Sequence, residues 1–460
     1  MKLAKKILAA TLIAGSVTAL AFAGCTGAKG ISSIEKTSTV GLKDIYTITY
    51  TDGSTSQFTV TNGSNADSNN ITINDIYEEY KNQYGDISFS DFLDKYLNAE
   101  TDSAAIVQDC LKSCVSVYCE FTTTTTKYDF FGRPIGTETT PSLQIGSGII
   151  YKMDSDYSYI ITNYHVVYGE NTNEDISEIT HVYLYGSQSA PYAESASATS
   201  YSYDEYAIAC DYVGGSIDHD VAVLRAKTDD IRAINDNVRA VDVAEGYTVG
   251  QTAIAIGNPG GEGISATKGI VSVDNEYITL DIDGTSRSYR SIRIDTAIYE
   301  GSSGGGLFDM YGRLIGLTNA GDGEEQNVNF AIPVQIVTGV ADNIIENNSQ
   351  TVRKITIGVT VVSSNSRNEF DSVTGLSTIK EDVTVDSVVS GSIAETLGVN
   401  KGDIIKGIVI NGQSKLINRS FELGDIILTI RTGDEIKLIF SRDGEEVQTE
   451  AYTVQLSDMA

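Results

Sequence analysis

The sequence predicts a mainly β protein of several domains, and three observations carry that expectation. From about residue 104 to 342, short runs rich in Val, Ile, Thr and Tyr ("SGIIYKM", "YSYIITNYHVV", "DVAVLRA", "TAIAIG", "RLIGLTN", "VNFAIP") alternate with Gly, Asp and Asn turns. That is the texture of an antiparallel barrel or sandwich. The chain has 460 residues, 41% of them hydrophobic, which suits about three domains with real cores. Near residue 350 the pattern breaks at "ENNSQTV", and a smaller domain follows to about 456.

The N-terminus comes first. "MKLAKKILAATLIAGSVTALAFAGC" places Lys2, Lys5 and Lys6 before an apolar run and then small residues, the pattern of an export signal over residues 1–24. A retained membrane helix competes, because the run is nearly long enough to span. The ending decides between them: Phe22-Ala23-Gly24-Cys25 resembles a bacterial lipobox, with Phe22 where Leu is usual. The resemblance implies that Cys25 carries lipid and anchors an extracytoplasmic protein to the cell membrane. Residues 26 to 41 read as a polar tether. "DIYTITYTDGSTSQFTVTNG" alternates on both sides of a turn and predicts a β-hairpin. "GSNADSNN" from Gly63 reads as a linker, and two short helices are expected from near Asn74 and Ser90. This tether segment, 25–103, shows no chemistry. Helical ends are expected at 104–116 and 334–346.

The formal net charge is −30, from 62 acidic and 32 basic residues. That argues against nucleic acid or an anionic membrane surface as the main partner. Besides Cys25 there are Cys110, Cys114, Cys119 and Cys210. Two disulfides are one reading in an oxidising compartment, and buried free thiols are the other. Cys110 and Cys114 share a helix face, but no partner pair completes a metal set, so no metal or cofactor is expected.

Chemistry concentrates at three places. Of the three histidines, His165 sits in "IITNYHVVYG", where an apolar strand meets a loop, a rim position suited to a general base. His181 lies in a half-exposed strand and His219 in a polar turn. A basic imidazole needs a carboxylate to orient it. "DHDVAVLRA" offers Asp220, directly before an apolar strand, while Asp218 reads as turn chemistry. In "IYEGSSGGGLFD", four glycines and two serines lie between strand-like segments. There Ser303 fits a nucleophile, with its own N–H and that of Gly301 as oxyanion donors. The order His165, Asp220, Ser303 is that of chymotrypsin-type proteases. The intervals fit a double β-barrel with His and Asp on the first barrel and Ser on the second.

Residues 104–346 resemble the protease domain of the HtrA/DegP family of trypsin-like serine proteases, through "GSGIIY", "TNYHVV", "DHDVAVL", "AIGNPGG", "DTAIYEGSSGGGLFDMYGRLIGL" and "NFAIP" in register. Ser302 stands where the family usually has Asn, and Gly306 where it usually has Pro. The resemblance implies a His165–Asp220–Ser303 triad and a pocket for the P1 residue with Ala297 at its base, six positions before the nucleophile. Asn329, Phe330 and Ala331 would form one wall, giving a shallow apolar pocket. Residues 352–456 resemble the family's PDZ module. Ile357, Gly358 and Val359 would supply its carboxylate-binding loop for peptide C-termini; a closed capping domain is the alternative, because residues 363 to 378 form a polar insertion beside the groove. The fold class implied is a chymotrypsin-like double β-barrel followed by a PDZ domain. The family is typically trimeric, an assembly that no feature of this sequence displays. The activity implied is an endopeptidase acting on unfolded or damaged proteins. The rival is a chaperone or sensor that uses the same fold with little turnover.

Overall fold

The computed structural model describes residues 31–40, 43–51, 53–61, 77, 81, 103–194, 200–321, 327–370 and 377–459. Cys25, the linker and most of the two short helices expected near Asn74 and Ser90 lie outside these. The chain divides into two compact units, 1–101 and 102–460.

In the first unit, β1 (Ile31–Val40), β2 (Lys43–Tyr50) and β3 (Thr55–Thr61) form an antiparallel sheet in the order β1-β2-β3. The expected hairpin is β2–β3, with Gly53 at φ 79° in its turn. Residues 31–40 are a strand rather than a tether. Their polar alternation is weak as a signal, but β1 satisfies the edge of β2 that the hairpin alone leaves open.

The second unit begins with α1 (Ser103–Cys110), whose Ile106 and Cys110 are buried. Six strands then form a closed barrel in the order β4-β5-β6-β9-β8-β7. They are β4 (Cys114–Tyr128), β5 (Pro134–Met153), β6 (Tyr157–Thr162), β7 (Ile179–Leu184), β8 (Ile208–Ser216) and β9 (Val221–Lys227). Val117, Ile150, Ile160, Val182 and Leu224 fill its interior. Two helices belong to it, the four-residue α2 (Tyr164–Val167) after β6 and α3 (Thr228–Ile234) after β9.

A second ring follows. It uses β10 (Asp242–Val243), β11 (Thr252–Gly257), β12 (Ser265–Asp281), β13 (Ser286–Ile294), β14 (Gly306–Phe308), β15 (Arg313–Gly321) and β16 (Asn329–Pro333). The order is β10-β15-β14-β11-β12-β13-β16, and pairing of β15 with β16 closes six of the strands on themselves. Between the two barrels, Ile149, Ile161, Val221 and Val223 of the first pack with Ile254, Ile256, Phe308 and Leu317 of the second. Helix α4 (Val334–Asn347) covers that seam. Its Val334, Val337, Ala341 and Ile344 recur at helical spacing and are buried, and Asn348 ends it in the left-handed conformation.

All four described cysteines are buried free thiols, so the disulfide reading does not hold. Cys119 and Cys210 each pair with Thr180 from opposite sides. A whole strand therefore separates them, about 10 Å at the usual interstrand spacing and too far to bridge. Burial pushes the Cys110 and Cys119 thiols up to about 12, which keeps them protonated and unreactive.

The remaining strands are β17 (Val359–Phe370), β18 (Ser377–Val388), β19 (Ile404–Ile410), β20 (Gln413–Leu416), β21 (Glu435–Arg442), β22 (Glu445–Gln448) and β23 (Tyr452–Thr453). They make one sheet with the path β17-β18-β19-β21-β22, so β17 is an edge. Helices α5 (Ile393–Thr396) and α6 (Ser420–Ile427) cover it, with Ile357, Val383, Ile405, Leu438 and Phe440 in the core. The polar residues after 362 extend the β17–β18 ribbon, with Arg367 opposite Lys380 and Phe370 opposite Ser377.

Helix α6 also docks this sheet on the second barrel. Asp425 pairs with Arg290 of β13, and Arg419 Nη1 lies 2.6 Å from Asp274 Oδ2. Both guanidiniums lie over the Phe421 ring, Arg290 at 4.4 Å and Arg419 at 4.7 Å. Burial pushes the Asp425 carboxyl up, and the Arg290 charge pulls it back only in part. The pair is therefore held against its own desolvation. Arg290→Met alone should destabilise the unit by about 3–5 kcal/mol, because it leaves a buried carboxylate unpaired, whereas Arg290→Met with Asp425→Leu should be near neutral. Urea denaturation of the full chain checks this; equal losses in the two variants would show that the ion pair itself supplies the stability.

Candidate active site

His165 is the second residue of α2, where β6 ends at the barrel rim. Val166 and Val167 are buried in the first barrel and fix the helix, leaving the imidazole side chain 32% exposed. Asp220 is fully buried beneath it. Its Oδ2 accepts from His165 Nδ1 at 2.8 Å, and its Oδ1 accepts from the His165 backbone N–H at 2.9 Å. One carboxylate thus sets both the ring and the backbone of the histidine. Burial disfavours the imidazolium, but the Asp220 charge and hydrogen bond outweigh it, so His165 stands above its ordinary value of 6.5.

Asp220 adopts φ 51°, a left-handed conformation that Asp tolerates better than most residues. Three contacts hold it there. Its N–H donates to Ile217 O (3.4 Å), its carbonyl accepts from Asn163 Nδ2 (2.9 Å), and Ile217 O also accepts from the Tyr289 hydroxyl of β13 (2.9 Å). Asp218 is the exposed turn residue expected, facing Arg287 at 3.5 Å.

Ser303 is the only residue of the segment 301–309 that is not buried. The glycines around it are there for close approach. A Cβ on Gly301 (φ 91°) would lie 2.5 Å from Asn258 O, and one on Gly304 (φ 83°) 2.2 Å from Ser147 O. The loop is clamped from the first barrel by Ser147. Ser147 Oγ donates to Gly301 O and Ser147 N–H donates to Ser303 O, both at 2.8 Å. From the other side Thr318 Oγ1 donates to Ser302 O at 2.6 Å, and Gly304 N–H donates to Thr318 O at 2.9 Å.

The carbonyl of Glu300 accepts from Gly260 N–H at 2.7 Å. In a trans peptide the next N–H points the opposite way, so Gly301 N–H faces away from the 258–261 loop. Among the described residues, no acceptor is recorded for the N–H of Gly301 or of Ser303. Ser303 carries the one partly exposed side chain of this loop. The hydroxyl itself donates to Asn319 O at 2.9 Å, and among the described contacts none joins it to His165.

The other expected site residues are placed as follows. Ala297 is exposed, and its carbonyl accepts from Thr267 Oγ1 at 2.8 Å. Asn329, Phe330 and Ala331 are buried in β16. Ala331 packs in the second barrel's core, and Asn329 Nδ2 donates to Thr296 O at 3.0 Å. Gly306 is paired with Ile256 and Leu317 on its two sides. Of the other histidines, His181 stacks on Tyr203 and His219 bonds Ser216 Oγ at 2.7 Å.

Sequence reasoning did not find Asn163, Ser147, Tyr289 or Gly260. Asn163 and Ser147 sit inside the segments "TNYHVV" and "GSGIIY", but their partners Asp220 and Gly301 lie 57 and 154 residues away. Tyr289 acts over 72 residues of separation and leaves no local signal, while Gly260 lies inside the segment "AIGNPGG" but bonds Glu300, 40 residues away.

Residues 146–317 match the family described as trypsin-like peptidase domain. The serine protease Do-like HtrA of Lactococcus lactis subsp. cremoris is 28% identical over 392 residues, covering 80% of this chain and 88% of that protein. The namesake of Bacillus subtilis is 29% identical over 312 residues, covering 66% of this chain and 62% of that protein. Among solved structures, the HtrA-type protease AlgW with a decapeptide aligns with TM-score 0.47 at 23% identity, over 76% of this chain and 98% of that one. The chain is a serine endopeptidase of trypsin-like fold.

The three histidines should titrate apart. His165 should lie above 6.5, His181 below it through burial, and His219 at about 4 through burial and the Lys354 charge, against the opposing charge of Asp218. A raised imidazole contributes stability that is present below the unfolded value and lost as pH rises through the folded one. Asp220→Asn should bring His165 below 6.5, since burial remains and the charge is gone. NMR titration of the ring resonances checks this; a His165 value unchanged by Asp220→Asn would break the assignment.

Proposed function

We propose that this endopeptidase cleaves unfolded or damaged proteins outside the cytoplasm, with His165 as general base, Asp220 as its orienting carboxylate and Ser303 as nucleophile. The observation that carries the reading is a buried Asp220 bonded twice to His165, near a loop whose one accessible residue is Ser303. After rotation of its hydroxyl from Asn319 O to His165 Nε2, Ser303 would attack the scissile carbonyl. His165 would take the proton and return it to the leaving amine, while Asp220 stabilises the imidazolium. The N–H groups of Gly301 and Ser303 would hold the oxyanion. Ala297, Asn329, Phe330 and Ala331 would line the P1 pocket and favour Val, Ala, Leu or Ile. Such side chains are buried in folded proteins, so the pocket would select unfolded chains.

In this reading residues 25–103 are a tether segment, 104–346 the protease domain and 352–456 a PDZ domain. Its groove would lie between β17 and α6. The carbonyls of Ile357 and Gly358 are tied to Ala394 and Val389 N–H groups. Val359 and Val388 form a non-hydrogen-bonded pair, so Val359 N–H faces the open edge of β17, as β-augmentation by a peptide C-terminus requires. Cys25 would be lipidated and hold the protein at the membrane. A homotrimer, as in the family, would be the assembly. One observation favours the second reading, a chaperone of low turnover: the Ser303 hydroxyl is engaged by Asn319 O.

Ser303→Ala, His165→Ala and Gly301→Ala should each abolish casein cleavage while leaving the far-UV spectrum unchanged; triad losses typically reach several orders of magnitude. Asp220→Asn should be severely impaired and Asp218→Asn silent. A fluorophosphonate that fails to label Ser303 would favour the chaperone reading. Cys25→Ser should release the protein from membranes or leave it unprocessed. Mass spectrometry finding an unmodified mature N-terminus at another residue would sink the anchor.

A further inference from the structure

The two most exposed large apolar side chains among the described residues, Phe130 and Phe131, sit side by side at one place. Strand β4 pairs with β7 only from Val115 to Glu120, and beyond Phe121 it pairs with β5 alone. The free ribbon from Thr122 to Tyr128 reaches about 24 Å past the barrel at the usual rise per residue. Its base is braced: Asn173 bonds Thr122 and Thr124, and Glu174 bonds Thr122. At its tip Phe130 is 98% exposed, Phe131 76%, Ile135 65% and Tyr128 61%.

Four of the N–H groups at the tip and its one carboxylate are bonded within it. Asp129 Oδ1 accepts from the N–H groups of Phe131 and Arg133, each at 2.9 Å, and Asp129 Oδ2 accepts from Arg133 Nε at 2.9 Å. The N–H of Asp129 bonds Arg133 O, and that of Gly132 bonds Asp129 O. Lys127 pairs with Glu138 at 3.1 Å. In a chain of net charge −30, residues 121–143 hold two basic residues (Lys127, Arg133) and two acidic ones (Asp129, Glu138), so this arm is electroneutral. Its charges sit in pairs, and the N–H groups of Asp129, Phe131, Gly132 and Arg133 are bonded within the turn. Such a turn can leave water at low polar cost.

We propose that this tip is a membrane contact: Phe130 and Phe131 enter the interfacial layer of a lipid bilayer. The distribution of apolarity selects lipid over protein. Below Tyr128 and Ile135 both strands are largely threonine, with Thr122 to Thr126 facing Pro141, Thr140, Thr139, Glu138 and Thr137. A ribbon docked along a protein would need an apolar stripe down one face. Here only the last turn is apolar, matching the shallow insertion of about 5–10 Å at which aromatic side chains sit in the headgroup region. The rest of the chain is strongly acidic, which would hold it off the surface and leave the neutral arm as the contact. The inference does not rest on lipidation of Cys25.

The chain contains no tryptophan, so Phe130→Trp makes a single reporter in the full chain. With excess phosphatidylcholine vesicles its emission should shift to shorter wavelength, lose iodide quenching and gain quenching by brominated acyl chains. Adding Phe131→Ser should reverse most of the shift, with an unchanged far-UV spectrum showing the fold intact. Emission and iodide access unaffected by vesicles would overturn the proposal. So would protection that appears without vesicles and grows with protein concentration, because the tip would then be covered by a second copy.

Discussion

Everything at the candidate site depends on how two closed barrels are held at one seam, and Ser147 holds it. Its hydroxyl donates to Gly301 O and accepts from Asn258 N–H, its N–H donates to Ser303 O, and its carbonyl accepts from Thr162 Oγ1. Thr162 ends β6, three residues before His165. One residue of the first barrel therefore places the loop of the second barrel against the strand that presents the imidazole. The hydrophobic seam between the barrels supplies most of the energy of association but no register, because apolar burial is non-directional. The hydrogen bonds of Ser147 supply the register. This also explains why Gly304 has no substitute: any side chain there would displace the carbonyl of Ser147.

A second constraint is the burial of Asp220. An unpaired carboxylate at zero exposure would be strongly disfavoured. Here it accepts from both the backbone and the ring of His165, which compensates its loss of water and fixes the nitrogen that faces it. The left-handed backbone at Asp220 is held by Asn163 on one side and, through Ile217, by Tyr289 on the other. Tyr289 belongs to the second barrel, so the geometry of the His–Asp pair depends on the barrel seam as well. Its neighbour Arg290 projects to the opposite face of β13 and meets Asp425 of the C-terminal sheet. Consecutive residues of a strand alternate between faces, so a single strand touches the carboxylate loop and the third sheet at adjacent positions.

Much of this was legible in the sequence, because the informative signals are local. Strand alternation, the loop after "IITNYH", an Asp before "VAVL" and glycines crowding a serine all lie within a dozen residues of their meaning. The mainly β class, the barrels and the meeting of His165 with Asp220 followed from them. What was not legible is contact across long separations or against expectation. Ser147 acts on Gly301, 154 residues away. Residues 31–40 form a strand only because β2 offers an open edge. The cysteines satisfy a parity argument for disulfides, yet barrel register puts a strand between Cys119 and Cys210. The polar run after 362 reads as an insertion, whereas it lengthens a ribbon whose side chains pair across it.

The orientation of Ser303 bears on how much turnover the fold permits. Its hydroxyl is bonded to Asn319 O, and in the proposed mechanism a rotation about χ1 would bring it to His165. A neutral hydrogen bond contributes about 0.5–1.5 kcal/mol net, so the resting bond lowers the population of the attacking rotamer by roughly tenfold or less at 1.4 kcal/mol per decade. Loss of a triad member typically costs several orders of magnitude. The rotamer is thus too small an obstacle to make a protease into a chaperone. The features that are expensive to build are already in place. The buried carboxylate is paired, and the Glu300 carbonyl is tied to Gly260 so that Gly301 N–H is free. In the proposed mechanism neither would have to be assembled when a substrate arrives, so the balance between cleavage and mere holding would fall on the approach of the scissile bond to Ser303.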